Sequence, residues 1–238
     1  MKVLVIIPAY NEQECIEQTV ENLKREAPFA DFIVVNDCSN DKTREILQKN
    51  NFPYIDLKLN LGIGGAVQSG YRYAEINGYD IAVQMDGDGQ HDPAYLKSLI
   101  APIEEGKADI TIGSRFIEKE GFQSSGMRRM GIRILNSFIY WFTGSKVTDC
   151  TSGFRAVNSK YIKLYAADYP IDYPEPEAIV YSLLQGARIL EVPVVMRQRA
   201  GGKSSIRPFH SFYYMFKVSL AMFLCKIRGT GYYTKRNG

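Results

Sequence analysis

The chain has 238 residues, 45% of them hydrophobic and 23% charged, which is enough for one large core. Its formal net charge of +3 is too mild to point to nucleic acid. Cys15, Cys38, Cys150 and Cys225 form no C-x-x-C pair, so neither a zinc spacing nor a disulfide framework is present, and reduced thiols are expected.

Val3–Ile7 is a continuous apolar run stopped by Pro8 and reads as a buried strand. Ile16, Val20 and Leu23 share one face of a helix over Glu14–Glu26. Phe32–Val35 is a second strand, Asp41–Gln48 a helix, and Tyr54–Leu57 a short third strand. Ile63–Ile76 reads as a helix entered through glycines, with Ala66, Val67, Gly70, Tyr73 and Ala74 inward. Ile81–Val83 is the fourth strand. Asp92-Pro93, a cap followed by a first-turn proline, starts a helix that runs to Ile103. Ile110–Ile112 is the next strand. Apolar strands alternating with helices predict an α/β fold, a mostly parallel central sheet flanked by helices. Beyond it the pattern is less regular: a strongly apolar helix over Met130–Phe142, a helix over Ala178–Gln185 opened by Pro176 and Glu177, and a late strand over Ile189–Val194.

Ligands of such sheets bind beyond the carboxyl ends of the strands. Polar side chains cluster there: Tyr10, Asn11 and Glu12 after the first strand, Asn36-Asp37 after the second, Asn60 after the third, and Asp86-Gly87-Asp88 after the fourth. Alone, that D-x-D is a short motif compatible with a polar turn. On a rim shared by several strand ends it reads as a ligand site. Two converging carboxylates suit a hard divalent cation that bridges to phosphate. Rival chemistries have little to work with. The run Gly62-Ile63-Gly64-Gly65-Ala66 lacks G-x-G-x-x-G spacing, no Walker motif or G-x-S-x-G occurs, and His91 and His210 are the only histidines.

From Arg197 to Arg236 the chain carries Lys and Arg but no Asp or Glu, which suits an anionic partner. Phe209–Cys225 is too short and interrupted to span a bilayer. It reads either as a core helix or as an amphipathic, interfacial helix with Lys226 and Arg228 at its flank. The expected division is therefore 1–205 and 206–238. No basic region followed by an apolar stretch opens the chain, so no secretion signal and a cytoplasmic location are expected.

Six stretches together resemble the family-2 inverting glycosyltransferases, and within them the dolichol-phosphate mannosyltransferase-like group. They are Ile7-Pro8-Ala9-Tyr10-Asn11-Glu12, Val35-Asn36-Asp37-Cys38-Ser39-Asn40-Asp41, Asn60-Leu61-Gly62-Ile63-Gly64-Gly65-Ala66, Asp86-Gly87-Asp88-Gly89-Gln90-His91, Gly113-Ser114-Arg115-Phe116 and Asp149-Cys150-Thr151-Ser152-Gly153-Phe154-Arg155. The likeness runs from residue 3 to about 205. It implies a GT-A fold, a nucleotide-diphosphate sugar as donor and Mg²⁺ or Mn²⁺. Carried over residue by residue, it implies that Pro8, Tyr10, Glu12, Asp37, Gly64, Ala66 and Asp86 bind the nucleotide-sugar. It likewise puts Asp88 and Gln90 on the metal. Arg115 and Arg128 or Arg129 would hold phosphate, Asp149 would be the base for a hydroxyl acceptor, and Glu177, Arg199, Lys203 and Ser204 would lie on the acceptor side. Two departures stand out. Asn36 takes the first acidic position of the commoner D-D-G-S, and Cys38 takes its glycine.

The resulting expectation is a metal-dependent transferase that places one sugar on a polyprenyl-phosphate-type lipid for surface-glycan synthesis. It would be peripheral at the inner face of the cell membrane, with a membrane-protein partner or a second copy of the chain as alternatives. A phosphate acceptor is already ionised, whereas a sugar hydroxyl needs a base. Three rivals stand beside it: extension of a lipid-linked or polysaccharide glycan at a hydroxyl, a nucleotide-sugar-binding module without turnover, and a sugar nucleotidyltransferase.

Overall fold

The computed structural model describes residues 1–118, 126–171, 174–197 and 211–228. Its centre is a seven-stranded sheet in the order β3-β2-β1-β4-β6-β5-β7. The strands are β1 (Val3–Ala9), β2 (Asp31–Asn36), β3 (Tyr54–Asp56), β4 (Ile81–Gln84), β5 (Ile110–Ser114), β6 (Arg155–Asn158) and β7 (Ile189–Pro193). The helices are α1 (Ile16–Glu26), α2 (Thr43–Lys49), α3 (Gly62–Ile76), α4 (Leu96–Glu104), α5 (Gly126–Thr143), α6 (Ser159–Ala167), α7 (Pro174–Leu184) and α8 (Ser211–Arg228). The sheet order and the helices on both faces bear out the GT-A reading.

Alternation along β1 divides the core. Val3, Val5 and Ile7 face a cluster that includes Ile16, Val20, Leu96 and Leu99, while Leu4 and Ile6 face one with Val67, Tyr161 and Ile179. Gly70 lets α3 lie against β1, since a Cβ there would come within 2.2 Å of Ile6 Cγ2. Tyr71, rather than Tyr73, is the fully buried tyrosine of α3, ringed edge-on by Tyr165 and Tyr169. Asp92 caps as expected, Oδ1 accepting from the Ala94 amide at 3.1 Å, but the chain makes a 3-10 turn over Pro93–Tyr95 before α4.

β6 is the strand the sequence pattern does not reveal. It is four residues long, opens on the buried Arg155, and pairs antiparallel with both β4 and β5. Its direction matters for function: the amino end of β6 lies at the carboxyl end of β4, with Arg155 opposite Gln84. The segment Asp149–Phe154 is thereby delivered to the same rim as Asp86 and Asp88. β1 leads to β2 on one side and β4 lies on the other, so the topological switch falls between β1 and β4.

Candidate active site

The ledge beside the switch is built from two loops laced together by backbone-to-side-chain bonds. The Asn11 amide donates to Ser39 Oγ at 3.0 Å, and Asn11 Oδ1 accepts from the Asn40 amide at 2.8 Å. The Glu12 amide donates to Thr43 Oγ1 at 2.9 Å. Tyr10 is exposed at the edge, Pro8 is buried under it and Glu12 is half-buried. Both departures noted in the sequence have structural reasons or costs. Asn36 donates Nδ2–H to Asp56 Oδ1 at 2.8 Å, where a carboxylate would meet a like charge. Cys38 sits at φ 57, in the left-handed region that a glycine enters without steric cost.

Asp37 is buried, and its Oδ1 accepts from the Leu61 amide at 2.7 Å. Burial pushes its pKa above the ordinary carboxylate value, with the Leu61 and Gly62 amides pulling part of the way back. Gly64 and Ala66 are spent on packing instead. A Cβ on Gly64 would lie 2.1 Å from the Pro170 carbonyl oxygen, and Ala66 is buried in the core. Both residues, expected against the nucleotide, lie here in the packing of α3.

Asp86–His91 follow β4. Gly87 holds this loop against β1, since a Cβ would lie 3.0 Å from the Pro8 carbonyl oxygen, and Thr19 Oγ1 donates to the Gly87 carbonyl at 3.2 Å. The Asp88 side chain is largely buried, its Oδ1 accepting from the Gln90 amide at 3.0 Å. Asp86 is more open. His91, which the sequence reading left without a role, is buried, stacks on Phe154 and accepts the Asp86 N–H at Nδ1 (3.0 Å). The neutral ring therefore carries its proton on Nε2, 3.9 Å from Asp86 Oδ2. A histidine five residues after the first Asp was the available signal. From the other side, a Cβ on Gly153 would stand 3.0 Å from both Asp86 carboxyl oxygens. Gln90 is clasped by the tail of β7: the Arg197 amide donates to the Gln90 carbonyl (2.9 Å), and Gln90 Nε2 lies 3.5 Å from the Arg197 carbonyl.

Arg115 and Asp149 do meet, but with each other. Arg115 Nε and Nη2 donate to the two Asp149 oxygens, both at 2.6 Å, and both residues are buried. Glu191 accepts from the Asp149 and Thr148 amides, each at 2.8 Å, and so pins the loop from below. One guanidinium thus engages both oxygens of the buried Asp149 carboxylate. Asp149, expected as a base for a hydroxyl acceptor, is held here by Arg115. Glu175 was passed over in favour of Glu177. It lies within electrostatic reach of Asp86 beside Gln84 and Arg155, and burial, helped by the Asp86 charge, raises its pKa. Glu177 is half-buried on α7 and Arg129 is exposed on α5. The Arg128 side chain and Arg199, Lys203 and Ser204 lie outside the described residues.

Among the described residues no three His, Cys, Asp or Glu side chains converge as a self-sufficient metal cage. A Mg²⁺ or Mn²⁺ site that uses one or two carboxylates and is completed by phosphate oxygens and water needs no such cage. Asp88 with the Gln90 amide oxygen fits that donor set.

The family model for Glycosyl transferase family 2 matches residues 4–165. An uncharacterised protein of Methanocaldococcus jannaschii is 34% identical over 81% of this chain and 80% of its own. The undecaprenyl-phosphate mannosyltransferase of Micrococcus luteus is 29% identical over 87% and 88%. The polyprenol monophosphomannose synthase of Mycolicibacterium smegmatis is 27% identical over 92% and 86%. Among solved structures, glucosyl-3-phosphoglycerate synthase from Mycobacterium tuberculosis with Mn²⁺, UDP-glucose and phosphoglyceric acid superposes with a TM-score of 0.71, at 18% identity, over 94% of this chain and 79% of that one.

Proposed function

This chain belongs to glycosyl transferase family 2, in its dolichol-phosphate mannosyltransferase-like group, and on that premise we propose that it moves a sugar from a nucleoside diphosphate to the phosphate of a polyprenyl lipid. It is a glycosyltransferase with a GT-A fold. The observation that carries the acceptor assignment is the Arg115–Asp149 fork. The carboxylate that sequence reading offered as base is already committed, and a phosphate acceptor needs none. The acceptors in the names of the M. luteus and M. smegmatis relatives support the same choice.

Tyr10, Glu12, Asp37 and Asp86 would line the nucleoside, and Asp88 with Gln90 would hold the divalent cation. When bound, that cation would neutralise charge growing on the leaving diphosphate. An acceptor phosphate oxygen attacks the anomeric carbon from the face opposite the diphosphate, the bond to the diphosphate breaks through an oxocarbenium-like state, and the configuration inverts. Arg115 and Asp149 act by position. With Glu191 they fix the loop that sets Gly153 against Asp86. Cytoplasmic work at the inner membrane face, in surface-glycan synthesis, follows from such an acceptor.

A panel of nucleotide-sugars with undecaprenyl phosphate and Mg²⁺ or Mn²⁺ tests the reading by mass spectrometry of the lipid. One donor should yield a glycosylated lipid phosphate; none doing so would refute it. A second reading is favoured by Glu175, whose raised pKa beside Asp86 suits a base for a sugar-hydroxyl acceptor. Under that reading Glu175→Gln abolishes transfer while donor binding persists.

A further inference from the structure

Gln84 is the odd residue of β4. Ile81 and Val83 face one apolar cluster and Ala82 the other, and Gln84 follows Ala82 on the side of Tyr71, Tyr161 and Tyr165. It is fully buried. Arg155, its partner across the antiparallel pair with β6, is buried with it, and directly opposed residues share a face. Glu175 stands in the first turn of α7. Arg155 Nη1 donates to its backbone carbonyl at 3.2 Å, and its carboxyl group lies in hydrogen-bond reach of the Gln84 side chain. Arg155 Nη2 donates to the Ser152 carbonyl at 2.6 Å, which fixes the chain just before Gly153.

Packing does not account for this polar insert. Buried ionic and polar groups add little stability over apolar side chains of the same volume. Gln84 Oε1 is buried with no hydrogen-bond partner among the described residues, so half of the amide is left unsatisfied, at a cost. The other half is aimed at the rim. Nε2 donates to Asp86 Oδ1 at 3.4 Å, the only side-chain hydrogen bond to that carboxylate among the described residues. His91 takes the Asp86 backbone N–H instead, and its Nε2 stays 3.9 Å from Oδ2. Gly153 gives amide and carboxylate room, since a Cβ there would stand 3.1 Å from Gln84 Nε2 and 3.0 Å from the Asp86 oxygens. Asp86 and Glu175 thus share one amide, whose donation holds the Asp86 carboxylate in one orientation and offsets the repulsion between two like charges.

We propose that Gln84 is a positioning residue for the donor nucleotide: backed by Glu175 and Arg155, its amide sets the direction of the Asp86 carboxylate towards a nucleoside diphosphate. The contact of Asp86 with that nucleotide rests on the function proposed above; Gln84 itself touches no substrate. Calorimetric titration of the full chain with UDP, GDP, ADP and CDP, each with Mg²⁺ or Mn²⁺, tests the role beside urea melts. Gln84→Met keeps the length of the side chain and removes the amide. It should bind the preferred nucleotide about tenfold more weakly, with a melt as stable as that of the parent or more so. Gln84→Leu, a second apolar replacement, should behave alike. In an Asp86→Asn background, Gln84→Met should cost no further affinity, because its effect passes through that carboxylate. Parent-like affinity in Gln84→Met, additive losses in the double variant, or an affinity loss that merely follows lost stability would each overturn the inference and leave the donor reading standing. A parent that binds none of the four nucleotides would overturn both.

Discussion

Asp86 and Asp149 lie on one rim of one sheet, yet the Asp86 side chain is 38% exposed and that of Asp149 not at all. Around the Asp86 carboxylate stand the Gln84 amide at 3.4 Å, His91 Nε2 at 3.9 Å and the edge of Gly153, with Glu175 in electrostatic reach and no guanidinium fork. Around Asp149 they are a guanidinium fork and a second carboxylate that grips its backbone. The first carboxylate can exchange water for a ligand. The second cannot without stranding a buried charge. Residue type and motif position do not separate these two states; the partner does.

The largest effect that could break this contrast comes from Asp149→Asn. It should cost about 3–5 kcal/mol of stability in urea melts, because Arg115 loses its counter-charge in the interior, while the folded fraction keeps donor binding and turnover. A stable, inactive variant would make Asp149 a catalytic base. Asp88→Ala should show the reverse pattern: turnover reduced by about 10²–10³-fold, with stability changed by only about 1 kcal/mol. Gly153→Ala probes the seam between the two regions. Its methyl would press on both Asp86 oxygens, so donor affinity measured by calorimetry should fall about tenfold. Cys38→Gly should relieve left-handed strain and raise stability by about 1 kcal/mol.

The smallest effect is a pH dependence at Asp37. Its folded-state pKa lies above the unfolded value, so its contribution to stability is complete below the unfolded pKa and is lost as pH rises through the folded one. Asp37→Asn should therefore melt slightly higher than the parent at pH 7, and the gap should close towards about pH 4. Equal gaps at both pH values would mean that the Asp37 charge carries no cost.

The amino-terminal half of the molecule was legible because its signals are local. Apolar runs such as Val3–Ile7 and Ile81–Val83 identify strands by themselves, and the strand-end rule then gathers Glu12, Asp37, Asp86 and Asp88 on one rim. The other half depends on long-range pairing. β6 opens on Arg155, a residue that argues against a buried strand until its contacts with the Ser152 and Glu175 carbonyls are seen. The Arg115–Asp149 pair joins residues thirty-four apart, and the motifs containing each had suggested separate roles. Gly64 and Ala66 were expected against the nucleotide from the resemblance alone, and their packing against Pro170 and in the core comes from long-range contacts that the run itself does not show. Glu175 and Glu177 stand two residues apart on one helix turn, and only the placement of α7 shows that the former reaches Asp86 electrostatically.

The central claim is that the sugar goes to an ionised phosphate without help from a base. Matched lipids ending in a phosphate or in an alcohol, offered to the same enzyme with the preferred donor and cation, test it directly. The account predicts glycosylation of the polyprenyl phosphate alone, surviving Glu175→Gln. Transfer to the alcohol, abolished by Glu175→Gln, would contradict it.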